Sequence, residues 1–182
     1  MEGLGMAAKK ILFIEGAPGD LRQGFEKLLE KKVAGNMPRI ILGESKSQTI
    51  RKFRRNSLEA DALLLLIDLD KPEEEREKDL ITNDLLHVDN IFYMIQEMEA
   101  WFISQPEKLD FYFGKKVSAK LTKRPPKEIA DPKAELKRAT KDSNCGKYDE
   151  IKHAVGLLKL LDPQKLETDF VDFKDLIDKL RE

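Results

Sequence analysis

The stretch from Ala62 to Asp70 decides the predicted fold. Residues 62–67 read Ala-Leu-Leu-Leu-Leu-Ile, and Asp68-Leu69-Asp70 follows directly. A short, uninterrupted apolar run is typical of a strand that is covered on both faces, as in parallel sheets. Ligands of such sheets gather beyond the carboxyl ends of the strands. The same nine residues therefore predict a buried strand and a candidate site at its end.

Three other short segments also predict strands, and helical patterns separate them. One helix would be capped by Ser47, and a very acidic helix begins at Glu73. Alternation of strand and helix predicts an α/β fold, with a mostly parallel sheet of about four strands and helices on both faces. The three additional strands are predicted at Ile11–Ile14, Arg39–Leu42 and Asn90–Ile95.

The composition changes after Gly114, where a basic, proline-bearing segment begins. We therefore divide the chain into an α/β core over residues 1–114 and a second part over residues 115–182, comprising a basic loop and a helical C-terminal extension packed on the core. Asp131-Pro132 is typical of a helix start, with Asp as the N-cap and Pro in the first turn. Two further amphipathic helices are predicted at Tyr148–Leu161 and Phe170–Leu180.

Composition excludes several classes of protein. The 182 residues carry 33 basic and 34 acidic side chains, a formal net charge of −1, so attraction of the whole molecule to nucleic acid is not expected. The single cysteine and two histidines argue against an intrachain disulfide and a zinc site. No signal peptide is recognisable, and Ala62–Ile67, the longest apolar run, is too short for a bilayer. The sequence predicts a cytoplasmic protein without membrane association.

Three acidic residues follow predicted strands: Glu15 after the first, and Asp68 and Asp70 after the third. Residues two apart in a strand point to the same side, so Asp68 and Asp70 are expected to project into one crevice. Repulsion among converging carboxylates is relieved by a hard cation such as Mg²⁺ or Mn²⁺, which prefers oxygen ligands. The alternative is that these acids only form turns or cap helices.

A second acidic pair, Glu97 and Glu99, lies in a predicted helix that continues to Ser104. Residues two apart in a helix point about 200° away from each other, so both could not face one ion if the helix had begun.

Two basic segments are candidate phosphate-binding surfaces. The first is the helix over residues 46–55, and the second is Lys115–Lys127. The alternative for each is a solvated, charged surface. The candidate nucleic-acid-binding residues of the first segment are Lys46, Arg51, Arg54 and Arg55.

Several of these motifs, in this order, resemble small stand-alone prokaryotic Toprim-like proteins of unassigned function. These are related to the Toprim domain of topoisomerases, primases and the overcoming-lysogenization-defect nucleases. The likeness spans most of the chain, although Ala17–Asp20 departs from the polar residues usual after Glu-Gly. The matching motifs are Ile14-Glu15-Gly16, Asp68-Leu69-Asp70, Glu99-Ala100-Trp101, Asp131-Pro132-Lys133 and Tyr148–His153.

The resemblance implies roles for individual residues. Glu15 would serve acid–base chemistry as well as metal binding, and Asp68 and Asp70 would bind metal. Glu99 becomes a fourth metal ligand, and Lys133 a catalytic residue that neutralises charge on a phosphate. An exposed first-turn lysine is the alternative for Lys133.

These observations predict a metal-dependent phosphodiesterase, a nuclease acting on DNA or RNA in phage defence or repair. One alternative is a non-catalytic module that binds a nucleotide or a partner protein of a defence system. Another is a different Asp-x-Asp phosphoryl-transfer enzyme. A haloacid-dehalogenase-like phosphatase is disfavoured because Lys71-Pro72-Glu73 follows the motif, and a nucleotide-sugar transferase because the chain is short.

Overall fold

The structure is a computed structural model, which describes residues 9–17 and 19–182. Its centre is a four-stranded, all-parallel sheet in the order β2-β1-β3-β4. The strand predicted from the leucine run is β3, and it lies between β1 and β4. The α/β prediction is therefore confirmed. The strands are β1 (Lys10–Ile14), β2 (Arg39–Leu42), β3 (Ala62–Asp68) and β4 (Ile91–Met94).

A helix follows each strand, and helices from Pro132 onward make up most of the C-terminal part. The helices are α1 (Leu21–Val33), α2 (Lys46–Arg54), α3 (Arg76–Thr82), α4 (Glu99–Ile103), α5 (Pro106–Phe113), α6 (Pro132–Ala139), α7 (Glu150–Leu160), α8 (Pro163–Asp169) and α9 (Val171–Arg181). In the described part of the chain, none of these helices is both long enough and apolar enough to cross a membrane.

Local signals predicted the start of α6 correctly, whereas the starts of α2, α3 and α4 differ from the prediction. Asp131 caps α6 as predicted, since its Oδ1 accepts the Ala134 N–H at 2.8 Å. The cap of α2 is Ser45 and not Ser47, because the Ser45 side chain accepts the Gln48 N–H. The acidic segment at Glu73 starts as a 3₁₀ turn over Glu73–Glu75 before α3 begins.

The core covers both faces of the sheet. Every residue of β1 is buried, and because successive strand residues point to opposite faces, both faces must be covered. On one face Phe13 meets Phe53 of α2 edge to face, with ring centroids 5.7 Å apart. One aromatic cluster joins α4 to α1 and the C-terminal helices. It consists of Trp101, Phe25, Phe170 and Phe173.

The C-terminal helices pack directly on the α/β part. Helix α7 lies along α1, and α9 contacts both α1 and β4. The predicted boundary falls at Gly114, which ends α5 in the left-handed conformation at φ 66°. The division of the chain at this point remains a prediction.

An ion pair between a buried aspartate and a half-buried arginine covers the outer edge of β4. Asp172 of α9 accepts the outward-facing N–H of Tyr93 at 2.6 Å and pairs with Arg76 of α3. Arg76 also donates to the Ile91 carbonyl and lies over the Tyr93 ring. One carboxylate therefore ties the C-terminal helix, α3 and the edge of the sheet together.

Substitution of Asp172 tests this tie. Asp172→Ala leaves the Tyr93 N–H without its acceptor and Arg76 without its partner, which should lower the free energy of unfolding by about 2–4 kcal/mol. Urea denaturation measures the change. Asp175→Ala, an exposed position on the same helix, should change it by less than about 0.5 kcal/mol. Equal losses in the two variants would contradict the assignment.

Candidate functional site

Acidic side chains meet at the carboxyl ends of three neighbouring strands. Glu15 follows β1, Asp68 is the last residue of β3, and Glu97 and Glu99 follow β4. The strands are adjacent in the order β1-β3-β4, with Ile14 opposite Leu66 and Asp68 opposite Met94. Parallel pairing in this register brings residues that are distant in the sequence to one edge of the sheet.

Glu15 and Asp68 are joined through backbone groups. Glu15 Oε2 accepts the N–H of Asp68 at 2.9 Å, and Asp68 Oδ1 accepts the N–H of Met98 at 2.9 Å. Both side chains are partly buried. The two carboxylates therefore connect the ends of β1 and β3 with the segment that leads into α4.

Asp70 takes a different orientation from the one predicted. The strand ends at Asp68, and Asp70 lies beyond it with φ 59°, so strand alternation does not govern its direction. Its Oδ2 lies 3.1 Å from the Nζ of Lys46, and its side chain is 54% exposed. Lys46 also donates to the Leu69 carbonyl and lies 3.4 Å from Asp79. Asp70 thus forms the outer rim of the site, with a lysine as its neighbour.

Glu97 and Glu99 both reach the site because α4 begins only at Glu99. The helix predicted to start at Glu97 starts two residues later, so the condition for the 200° separation is not met. Glu99 is 1% exposed and accepts a hydrogen bond from the Tyr148 hydroxyl at 2.9 Å. Glu97 is partly buried and accepts the Lys133 N–H.

Lys133 lies within the acidic cluster and is partly buried, 33% exposed. Its Nζ is 2.9 Å from Glu150 and 3.7 Å from Glu99. Burial opposes the charge of Lys133, but the carboxylates of Glu99 and Glu150 outweigh it and raise its pKa. The lysine therefore carries a positive charge held beside the acids.

Asp68 has the most unfavourable electrostatic position. Loss of water around its carboxyl group raises its pKa well above the ordinary value, and its neighbours Glu15, Glu99 and Asp70 raise it further. Burial likewise raises the pKa of Glu15 to about 7, against the opposing effects of the Asp68 amide and the Lys46 ammonium. Burial also raises the pKa of Glu99 to about 7. At neutral pH this cluster favours binding of protons or of a cation.

The ligand types of the cluster suit a hard divalent ion, but its side chains are not arranged around a metal-binding position. All of its side-chain donors are oxygens, which Mg²⁺ and Mn²⁺ prefer, and Asp68 is surrounded by like charge. Among the described residues, however, no three His, Cys, Asp or Glu side chains are grouped so that they could hold a metal ion. Glu15 and Asp68 each accept a backbone N–H through one carboxylate oxygen, so a metal ion would be bound through the other oxygen of each group.

The four basic residues predicted to bind nucleic acid do not form one surface. Lys46 faces the acidic rim, as described above, and Arg54 donates to the carbonyls of Asn83 and Asp84. Arg51 and Arg55 are exposed and border a shallow depression beside Ser57 and Leu58. Their role in binding remains a prediction.

Sequence reasoning missed three residues of the site. Glu97 was set aside because the helix was predicted to start too early. Tyr148 and Glu150 come from the far C-terminal part, and nothing in their spacing indicated that they would approach Glu99 and Lys133. The one available signal for Tyr148 and Glu150 was their place in the last of the motifs that resemble the Toprim-like group.

The raised pKa of Glu15 predicts a pH-dependent stability. The ordinary pKa of Glu15 is 4.5, and its pKa in the folded protein is about 7. Its protonated form therefore contributes to stability fully below pH 4.5, and this contribution is lost as the pH rises to about 7. Glu15→Gln still offers an acceptor to the Asp68 N–H but cannot ionise. Relative to the parent, its free energy of unfolding should increase across this interval, by up to about 1.4 kcal/mol per pH unit.

Urea denaturation of the metal-free proteins at a series of pH values measures the difference. Glu107→Gln, an exposed position on α5, should run parallel to the parent at all pH values. If the Glu15→Gln curve also ran parallel to the parent, the proposed protonation of Glu15 would be wrong.

Comparison with known proteins identifies a family but no function. The family described as "Domain of unknown function (DUF4276)" matches residues 19–181, nearly the whole chain. A search of curated proteins finds no match, and neither does a search of solved structures. The chain belongs to the DUF4276 family of domains of unknown function.

Proposed function

We propose that this protein is a metal-dependent phosphodiesterase that cleaves nucleic acid, with Mg²⁺ or Mn²⁺ as cofactor. The ion would be held by Glu15, Asp68, Asp70 and Glu99 at the carboxyl ends of the strands. When bound, it would polarise the phosphate and lower the pKa of an attacking water. Phage defence or repair, the settings predicted from the sequence, remain the proposed ones.

The observation that carries the proposal is the environment of Asp68. Its strongest charged neighbours are all acidic, and its pKa is well above the ordinary value. A carboxyl group placed in this way either keeps a proton or shares a cation with its neighbours. Perturbed groups of this kind are concentrated at functional sites.

The chain's own residues supply two further functions. Glu15, with a pKa of about 7, can take up and release a proton near neutral pH, as a general base must. Lys133 offers a positive charge beside Glu99 and Glu150 that could be redirected to a phosphate oxygen. A relationship to the Toprim domain, which places Glu and Asp-x-Asp in these roles, is part of the same proposal.

A non-catalytic binding module is the second candidate. It is favoured by the way each central carboxylate is already used: Glu15 accepts a backbone N–H of β3, and Asp68 accepts one of the segment before α4. In that case protonated acids would hold the strand ends together, and a nucleotide or partner protein would bind without turnover.

Metal binding and cleavage separate the two candidates. Asp68→Asn keeps an acceptor for the Met98 N–H but removes the charge. We expect Mn²⁺ to raise the melting temperature of the parent. At a hundredfold excess over Kd, the free energy of unfolding should increase by about 2.7 kcal/mol. Loss of a residue that only supports a metal ligand lowers metal affinity by roughly 10- to 100-fold. Asp68→Asn removes a proposed ligand, so its metal affinity should fall by at least this much and its cleavage activity should be lost.

Calorimetry with Mn²⁺ and gel assays on plasmid, single-stranded DNA and RNA make these measurements. Asp89→Asn, the same change at an exposed loop position before β4, is the matched control and should behave as the parent. Cleavage that survives in Asp68→Asn would refute the metal-site assignment. Metal binding by the parent without cleavage of any substrate would favour the binding module.

A further inference from the structure

A groove of about 490 Å³ opens between the C-terminal end of α4, the start of α5, helix α8 and the segment over residues 118–127. None of the residues placed in the metal site lines it. The sequence marked Lys115–Lys127 as a basic segment without indicating where its charges would point.

The rim of this groove is basic. Lys123 and Arg124 are exposed, and neither has an ion-pair partner among the described residues. Lys127 pairs with Glu73 and Lys165 with Asp169, each within about 3.2 Å. Among the described residues that line the groove, four are basic and one, Asp169, is acidic. The rim therefore suits a ligand with several negative charges.

Apolar side chains supply part of the lining of the groove, here called its floor. A ligand that only presented phosphates would leave this floor unused, whereas bases that are not paired can lie against it. Grooves for single strands combine a basic track for the backbone with surfaces against which unpaired bases stack. In a duplex the base faces are stacked inside and cannot reach such a floor. The apolar lining residues are Ile103, Pro106, Leu121, Pro125, Pro126 and Phe170, of which Ile103 and Phe170 are buried.

The groove is connected to the acidic cluster through one segment. The carbonyl of Lys127 accepts a hydrogen bond from Gln96, the residue before Glu97. Six residues after Lys127, the N–H of Lys133 donates to Glu97. A strand that follows the basic rim past Lys127 would therefore arrive at the acidic residues.

We propose that this groove binds a single-stranded segment of nucleic acid, DNA or RNA, and leads it to the acidic site. The inference rests on the proposed function for its purpose, but binding in the groove does not require metal or cleavage. It places the binding surface on Lys123, Arg124, Lys127 and Lys165, instead of on the exposed arginines of α2.

Fluorescence anisotropy with labelled oligonucleotides of mixed sequence tests the groove. The proteins are used at full length in EDTA, so that no cleavage occurs, with single-stranded DNA, single-stranded RNA and the matching DNA duplex as probes. Lys123→Ala/Arg124→Ala should weaken binding of the single strand at least about tenfold. If it removes two phosphate contacts, the slope of log Kd against log salt should fall by about 1.4.

Lys152→Ala/Lys159→Ala is the matched control, because it removes two positive charges from exposed residues of α7 that do not line the groove. It should bind as the parent does, and Arg51→Ala/Arg55→Ala of α2 tests the competing surface. All three variants should keep the parent's melting temperature. Preference for DNA or RNA assigns the substrate. The groove assignment is overturned if the parent binds no probe, if the duplex binds as tightly as the single strand, or if only the α2 variant loses binding. If the parent binds in the groove but cleaves no substrate when metal is added, the groove proposal holds and the proposed nuclease function is wrong.

Discussion

The parallel pairing of β3 with both β1 and β4 is the constraint on which the site depends. Because β3 lies between the other two, its last residue, Asp68, is flanked by the segments that follow β1 and β4. The main-chain N–H of Asp68 then donates to the Glu15 carboxylate, and the main-chain N–H of Met98 donates to the Asp68 carboxylate. The sheet supplies the positions, and the hydrogen bonds hold the loops at the strand ends in place.

Much of the architecture could be predicted because it depends on local patterns. The leucine run of β3 and the short apolar segments of β1 and β2 were bounded by polar residues, and Asp131-Pro132 marked the start of α6. The placement of Glu15 and Asp68 near one another followed from the same reasoning, since parallel strands bring their carboxyl ends to one edge.

What could not be predicted depended on contacts between distant parts of the chain. The turn at Asp70, with its positive φ, directs that side chain to Lys46, and no spacing rule anticipates it. Tyr148 reaches Glu99 because the segment before α7 packs against α4, where its ring meets that of Phe102, and this is a tertiary contact. The start of α4 is two residues later than the pattern suggested, an uncertainty ordinary for helix ends, and this alone decided whether Glu97 belonged to the site.

The ion pair between Asp172 and Arg76 has a consequence for assembly. An edge strand with free N–H and C=O groups is a template on which a second chain can add a strand. Here the outward N–H of Tyr93 and the carbonyl of Ile91 are already engaged by side chains of the same molecule. Growth of the sheet by strand addition is thus blocked at β4, and a partner that extended it would have to approach along β2.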